Sequence, residues 1–525
     1  MASSCHNAPQ IQEMSGCDEE KPVIELEATI TPQCGELQEP NHGVVQKNFS
    51  LISLAGIGVA VGNVWPALGG SLLTSIYNGG APGVIYEFIA ASLCYFTVAA
   101  VIAELSSALP SSSGVHLWAT VTSGPRHGKV VGYFAGWWNC LAWIFAVASV
   151  TCIASNLCVQ TFAFWHPSFI AKKWHTFVCY IILSWLSCVI VCFGNSMIPR
   201  LNIVGLVVIV VGAITTIVVC IAMVNTEGRS SASSHDVWGA WEADIGYPNG
   251  FVFTIGMLNG AFAMGTPDAA VHLAEEIPRP SINVPKAIAT QYILGFVSAL
   301  AYLITMLYCI TDYEALYKAE LPIAEVYSQA TGHSAIATTA LLALILAPTL
   351  LCTLGLYVTC GRTLWTLARV GATPFPNVLG RISPTQHMPV TATFVTTVLV
   401  SLLGLIYLAN STAFNGFVAS FILFSSASYI AALLPYLWTR SRSSFEPGEF
   451  YMTGYLGYVV NIWACGYLIT WFVVYCFPYA LPTNAENMNY SSLIWGTFTI
   501  AVGALWYFGV RKTYVLPMSL SHDEA

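Results

Sequence analysis

Charge is scarce in this chain. Only 8% of its 525 residues are Asp, Glu, Lys or Arg, whereas soluble proteins carry about 25%. So few charges cannot cover a water-facing surface. A soluble enzyme, a nucleic-acid binder, a coiled coil and a disordered scaffold are excluded on that ground. Cysteine spacing is uninformative too: the 16 cysteines include no CxxC pair and no Cys/His cluster, so neither a disulfide framework nor a metal site is expected. Cys94, Cys140, Cys152, Cys179, Cys188, Cys192, Cys220 and Cys352 sit inside apolar runs, as small hydrophobes do. Walker, kinase and metal-hydrolase motifs are missing, so ATP-driven pumping and enzymatic chemistry have no support and no cofactor is expected.

What the chain has is apolar length: 56% of it is hydrophobic. A bilayer core takes about 20 apolar residues per helix. Twelve segments meet that length, at 48–73, 82–108, 130–157, 176–197, 202–225, 249–272, 287–311, 336–361, 389–409, 413–438, 456–478 and 491–510. Pro110, Pro199, Pro278 and Pro482 fall between them and Pro389 opens the ninth, at points where helices should stop or start. The segments are too long and continuous for a β-barrel. The expectation is an all-α integral membrane protein of twelve helices. Its organisation would be helices 1–5 over 46–225, helices 6–10 over 249–438, helices 11–12 over 456–510, and cytosolic ends at 1–45 and 511–525.

Net charge is −8, but unevenly spread. Asp18, Glu19, Glu20, Glu25, Glu27, Glu36 and Glu39 face Lys21 alone in residues 1–45. That segment reads as a disordered acidic tail with no basic run leading into a short apolar core, so the first apolar segment is expected to act as an uncleaved anchor. With the amino terminus placed in the cytosol, only Lys172, Lys173, Arg229 and Lys318 of the 18 basic residues fall outside. The positive-inside rule therefore places both termini in the cytosol, with the plasma membrane as the expected location.

Two segments are interrupted. The first reads Gly56-Ile57-Gly58 through Gly62-Asn63-Val64-Trp65-Pro66; the sixth reads Gly256-Met257-Leu258-Asn259-Gly260, then Met264-Gly265-Thr266-Pro267-Asp268. Non-helical backbone at membrane depth survives only where it lines a cavity. Paired interruptions five spans apart point to an inverted-repeat carrier with its site at the breaks. A half-helix amino terminus suits a carboxylate and unwound carbonyls suit an ammonium, so a small amino acid or amine is the expected partner.

These stretches resemble the amino acid–polyamine–organocation superfamily, and within it the fungal amino acid/choline transporter family. The resemblance extends through Ala103-Glu104 to Gly114, Gly132-Tyr133 to Trp138-Asn139, Ala274-Glu275-Glu276-Ile277-Pro278-Arg279-Pro280 and Val284-Pro285-Lys286. Gly361-Arg362 to Arg369-Val370-Gly371, Phe477-Pro478 and Asn487 to Ser491 also follow the family pattern. The sequence departs from it at Val64, where the family has Gly, and at Val370, where it has Asp. The resemblance implies a leucine-transporter-like five-plus-five fold with two added helices, and secondary transport of a small nitrogenous solute such as choline or GABA, coupled to protons. A non-transporting nutrient receptor on the same fold is the alternative.

The substrate is thus expected against Gly62, Asn63, Val64, Trp65, Phe262, Gly265, Thr266 and Asp268, with Phe414 and Phe417 also near and aromatic faces suited to a quaternary ammonium. Asp268 has two readings, as the N-cap of the second half of helix six or as a contact for an ammonium or proton. Four residues on, His272 is either a packing residue or a coupling group. Glu104 is expected to pair with an Arg of an inner loop, as a gate or as a structural tie, and Glu275 to act in gating. Glu87 is expected either to snorkel to the interface or to attract a cation.

Overall fold

The computed structural model describes residues 50–72, 76–166, 168–226, 230–319, 321–409, 413–440, 445–484 and 487–517. The acidic tail expected at 1–45 lies outside them, as do the last residues of the carboxyl end. The described residues form helices with no strand; one isolated bridge joins Asn78 and Ala243. Eleven of these helices are long and apolar enough to cross a bilayer, and Asn249–Met264 is a shorter apolar helix of 16 residues. Together they account for the twelve expected segments.

The first segment is two helices, α1 (Leu51–Gly62) and α2 (Val64–Gly70). Ser50 caps α1 by accepting from the Ser53 amide at 3.2 Å. Asn63 separates the halves in the left-handed conformation, φ 42°. Asn is among the few residues that adopt it at small cost. Then follow α3 (Gly80–Ala108), the short α4 (Val115–Thr122), α5 (Gly124–Trp165), α6 (Lys173–Phe193) and α7 (Ile198–Val224). After a short α8 (Ser234–Trp238) comes α9 (Asn249–Met264), which stops short of the expected 272. Residues 265–266 are irregular, 267–270 form a turn, and Val271–Glu276 is a single 3-10 stretch. The chain continues through α10 (Pro280–Cys309), α11 (Tyr313–Lys318), α12 (Pro322–Ala330), α13 (Ala335–Arg369), α14 (Pro376–Leu379), α15 (Val390–Ala409), α16 (Ala413–Thr439), α17 (Gly454–Val474) and α18 (Ser491–Phe508).

The 42-residue α5 runs through the middle, packed by α4, α13 and α16. Glycines let the broken helix approach its neighbours. A Cβ at Gly56 would meet the Asn202 backbone within 2.5 Å, and Gly58 and Gly62 lie against the Gln291 side chain of α10. On the outside, α17 and α18 expose Leu456, Trp463, Leu493, Ile500 and Phe508. Those side chains suit lipid and would be an aggregation surface in water.

Glu104, near the end of α3, is held by Arg440, its Oε2 accepting from a guanidinium nitrogen at 2.7 Å while Tyr436 donates to Oε1 at 3.2 Å. Both charged side chains are buried. Arg440 also reaches the Met452 carbonyl and lies over the rings of Tyr436, Tyr451 and Tyr458. The pair ties α3 to α16 and to the segment entering α17. Removing one member of a buried pair leaves the other uncompensated, a loss of about 3–5 kcal/mol. Glu104→Gln is therefore expected to lower the melting temperature in detergent, and adding Arg440→Met should recover much of the loss. An unchanged melting temperature in the single variant would show that the pair is not a structural tie.

Candidate functional site

The two breaks meet across α10. Gln291 donates through Nε2 to both the carbonyl and the hydroxyl of Thr266, each at 3.0 Å. Tyr292 donates to the Met264 carbonyl at 2.5 Å. The carbonyls freed where α9 stops are thus taken by two consecutive residues of α10, which meets the demand of a cut helix end. On the other side, a Cβ at Gly62 would stand 3.1 Å from Gln291 Nε2. Asn63 Oδ1 and Gln291 Oε1 are buried acceptors with no protein partner. Gly265 has no room for a side chain: a Cβ there would meet the Ala261 carbonyl at 2.7 Å and Ile422 at 2.9 Å.

Asp268 is fully buried, and its carboxylate accepts from four side chains. Tyr429 of α16 donates to Oδ1 at 2.7 Å. Asn139 of α5 donates to Oδ2 at 2.7 Å, and Trp143 reaches the same oxygen at 3.4 Å. His272 Nε2 lies 3.2 Å from Oδ2. The N-cap expectation for Asp268 is corrected here. The 3-10 stretch takes Ala270 as its N-cap, with no side-chain cap bond. Donors from α5 and α16 have claimed the carboxylate instead, and the turn at 267–270 leaves no α-helix for it to cap.

His272 lies between two acceptors. Nδ1 is 3.1 Å from the Ser112 carbonyl, which only accepts, and Nε2 faces the Asp268 carboxylate. Trp143 packs edge-on to the His272 ring, 5.9 Å between centroids.

Residues 104–114, 271–279 and 362–369 gather at one end of the bundle, the Arg362 end, and close it. Glu275 pairs with Arg369 at 2.8 Å, and Glu276 pairs with Arg362 in a buried contact. The Ser112 hydroxyl accepts from the Glu275 amide at 3.1 Å. Gly114, with φ 49°, brings the loop against Val271 and His272, where a Cβ would meet them at 3.1 and 3.4 Å.

At the opposite end, where Asn78 lies, two cavities meet at Ser71 and Phe414. One, of about 430 Å³, is lined by Ser71, Tyr77, Asn78, Asp244, Gly256, Asn259, Phe414 and Tyr479, among others. The second, of about 360 Å³, shares Ser71 and Phe414 and adds Asn156, Gln160, Lys172 and Lys173. Ser71 and Asn259 are bonded at 2.6 Å, joining α9 to the end of the first segment.

The expected site residues therefore divide. Gly62, Asn63, Gly265, Thr266, Asp268 and His272 lie at the breaks or bond with them. Val64 instead packs on Gly295, and Trp65 bonds the Ile209 carbonyl at 3.2 Å with its ring 5.0 Å from Tyr302. Both are core contacts of α2, turned from the cavities. Phe262 meets Phe421 edge-on at 6.1 Å. Phe417 packs with Phe145 in a separate apolar cavity of about 300 Å³. Glu104 and Glu275 hold the closed end. Glu87 does not snorkel: it is 2% exposed, with its carboxyl against Gly256. Gln291, Asn139, Trp143 and Tyr429 were not singled out from sequence, although amides in the middle of apolar spans were a usable signal. Tyr77, Asp244 and Tyr479 come from loops whose approach no local pattern announces.

Comparison with known proteins fits this arrangement. The amino acid permease family matches over residues 49–498. The choline transporter of Saccharomyces cerevisiae is 28% identical over 473 residues, 90% of this chain and 83% of that one. The swainsonine transporter of Arthroderma benhamiae is 28% identical over 89% of this chain and 92% of its own. The 7-keto 8-aminopelargonic acid transporter of Saccharomyces cerevisiae is 24% identical over 86% and 90%. Among solved structures, a manganese transporter from Eremococcus coleocola superposes with a TM-score of 0.55 at 13% identity, over 91% of this chain and 99% of that one. That likeness establishes the fold, an all-α leucine-transporter-like bundle of twelve helices with the first and sixth broken. Matched along nearly its whole apolar length, the chain belongs to the amino acid permease family of the amino acid–polyamine–organocation superfamily and is a membrane transporter, not an enzyme.

Proposed function

We propose that this protein is a secondary carrier for a small nitrogenous cation, an amine or a quaternary ammonium, moved by alternating access and coupled to protons. The observation that carries the reading is the wall of the larger cavity. Tyr77, Phe414 and Tyr479 supply aromatic faces and Asp244 a carboxylate, with no Lys or Arg among the lining residues. Such a wall attracts a cation that cannot donate hydrogen bonds, through cation–π contacts worth about 0.5–2 kcal/mol each. Kinship with proteins named as choline and swainsonine transporters supports the same class. A zwitterionic amino acid is the second reading, because Lys172 and Lys173 line the adjoining cavity and would suit a carboxylate.

The Arg362 end is read as cytosolic, since most Lys and Arg gather there, so the cavities open outward and both termini lie in the cytosol. Cysteines placed at 230–248 are then expected to react with an impermeant reagent on intact cells, and cysteines at 370–388 only after permeabilisation. The reverse pattern would invert the carrier. Cell-surface biotinylation of the same cells checks the plasma-membrane assignment.

Substrate is decided by competition among radiolabelled choline, GABA, basic amino acids and polyamines in a host lacking its own uptake. Choline or an amine should be taken up and compete best. Selective uptake of GABA would favour the zwitterion reading, and surface protein that moves none of these would favour the receptor.

Asp268 and His272 are proposed as the proton-carrying pair beside the breaks. Asp268→Asn removes the charge and one of the two oxygens that the four donors share, and should cut uptake per surface molecule at least about tenfold, the effect of about 1.4 kcal/mol. His272→Asn should equilibrate substrate but no longer concentrate it, and a protonophore should then change nothing. Protonophore-sensitive accumulation by His272→Asn at the wild-type level would remove the pair from coupling.

A further inference from the structure

Glu87 lies outside the Asp268 network. It stands on α3, buried, with both carboxyl oxygens lacking a hydrogen-bond partner. Its place is well defined. The carboxyl fills the space a side chain at position 256 would need, and a Cβ at Gly83 would come within 3.5 Å of Oε1. A Cβ at Gly83 would also strike the Asn78 carbonyl. Gly256 and Asn78 both line the larger cavity. A bare glycine therefore separates the carboxyl from a cavity walled by Tyr77, Phe414, Tyr479 and Asp244.

An ionised carboxyl with no donor, in an apolar bundle, is among the costliest arrangements a membrane protein can hold. Something positive has to compensate it. The helices packed on α3 offer no fixed cation at this point. On α9 it meets Gly256; beyond α17 the ionisable group facing it is Tyr475. On α10, Tyr292, Tyr302 and Tyr308 are bonded to Met264, Tyr327 and Trp238, and Lys286 lies beside Ile52 and Ala55 in another cavity. On α8, His235 and Asp236 pair with each other at the surface. The compensating charge is therefore a mobile one.

We propose that Glu87 is a proton-exchangeable cation site in the wall of the outer cavity, protonated while the cavity is empty and ionised when an ammonium group settles against Gly256. The exchange balances simply. The Glu87 O–H bond breaks, its proton passes to cavity water and out to bulk, and the carboxylate left behind faces the cationic head. No redox partner or other reactant is needed. The glycine at 256 leaves room for the carboxyl and keeps the wall thin enough for the two charges to interact. This rests on the proposed preference for nitrogenous cations, and it adds a way for external protons and substrate to compete for one carboxyl. It is separate from the Asp268–His272 pair, which lies toward the closed end.

Two measurements test it. The first needs no transport. Infrared difference spectra of the purified protein without substrate should show a protonated-carboxyl C=O band that Glu87→Gln removes and that saturating choline or tetramethylammonium diminishes. A wild-type spectrum without that band, or a band that Glu87→Gln leaves intact, overturns the proposal whatever the substrate proves to be. A band lost in Glu87→Gln but unmoved by every ammonium tested overturns the exchange. The second measures uptake of whichever cation the competition panel selects. External acidification should raise KM several-fold in the wild type with little change in maximal rate, and Glu87→Gln should abolish that rise. Glu87→Asp, which keeps the carboxyl, should retain part of it and serves if Glu87→Gln fails to reach the surface. A pH effect on KM that survives in Glu87→Gln overturns the competition. Selective uptake of a zwitterion would instead sink the cation reading, while the infrared result still decides whether Glu87 carries a proton.

Discussion

A bilayer core offers no water to a cut helix, so each backbone group released at Asn63 and at 265–270 has to find its partner inside the protein. That demand shapes the centre of the molecule. Gln291 and Tyr292 stand side by side on α10 and take the carbonyls of Thr266 and Met264. Gly58 and Gly62 lie against the Gln291 side chain, where an added Cβ would be tight at 3.1 Å. The amide that satisfies one break is thus packed against the other, and α10 links them. The side-chain oxygens Asn63 Oδ1 and Gln291 Oε1 remain buried beside the breaks with no protein partner.

The same economy governs charge. The buried carboxylates Glu104, Asp268 and Glu276 each have a cationic or donor partner, and Glu87 is the exception. Two of the three pairs cluster where α3, α13 and α16 end. There, ion pairs from Glu275 and Glu276 to α13 and the contacts of Ser112 tie the Arg362 end together, while the two cavities that meet at Ser71 lie at the other end. The arrangement rests on hydrogen-bonded charges that exchange partners more readily than a packed apolar seam would.

Much of this was legible in the residues. The interruptions at Gly62-Asn63 and Gly265–Asp268 fall where the helices break, because Gly, Asn and Pro carry their backbone preferences locally. Glu104 has an Arg partner, as a lone acid in an apolar run must. What sequence could not supply was rotation. Val64 and Trp65 follow the break, but the direction of α2 after a left-handed residue decides that they pack on Gly295 and Ile209. Asp268 draws its donors from α5, α16 and the 3-10 stretch, residues as far as 161 positions away. Local rules offered a cap as one of two readings because a cap needs only neighbours, and the tertiary partners outcompeted it.

His272 joins the two halves of this account. One ring nitrogen faces Asp268 and the other faces the Ser112 carbonyl, in the loop that closes the Arg362 end. With a proton on each nitrogen, the ring holds the carboxylate and the loop at once. Remove one proton, and the ring must present a lone pair either to the carboxylate or to the carbonyl, both of which only accept. One of the two bonds then turns repulsive in a buried setting where repulsion is poorly screened. Loss of the proton therefore weakens either the Asp268 contact or the loop contact. On the proposed coupling, this ring lets proton occupancy and closure of the Arg362 end bias each other, with no messenger beyond two hydrogen bonds.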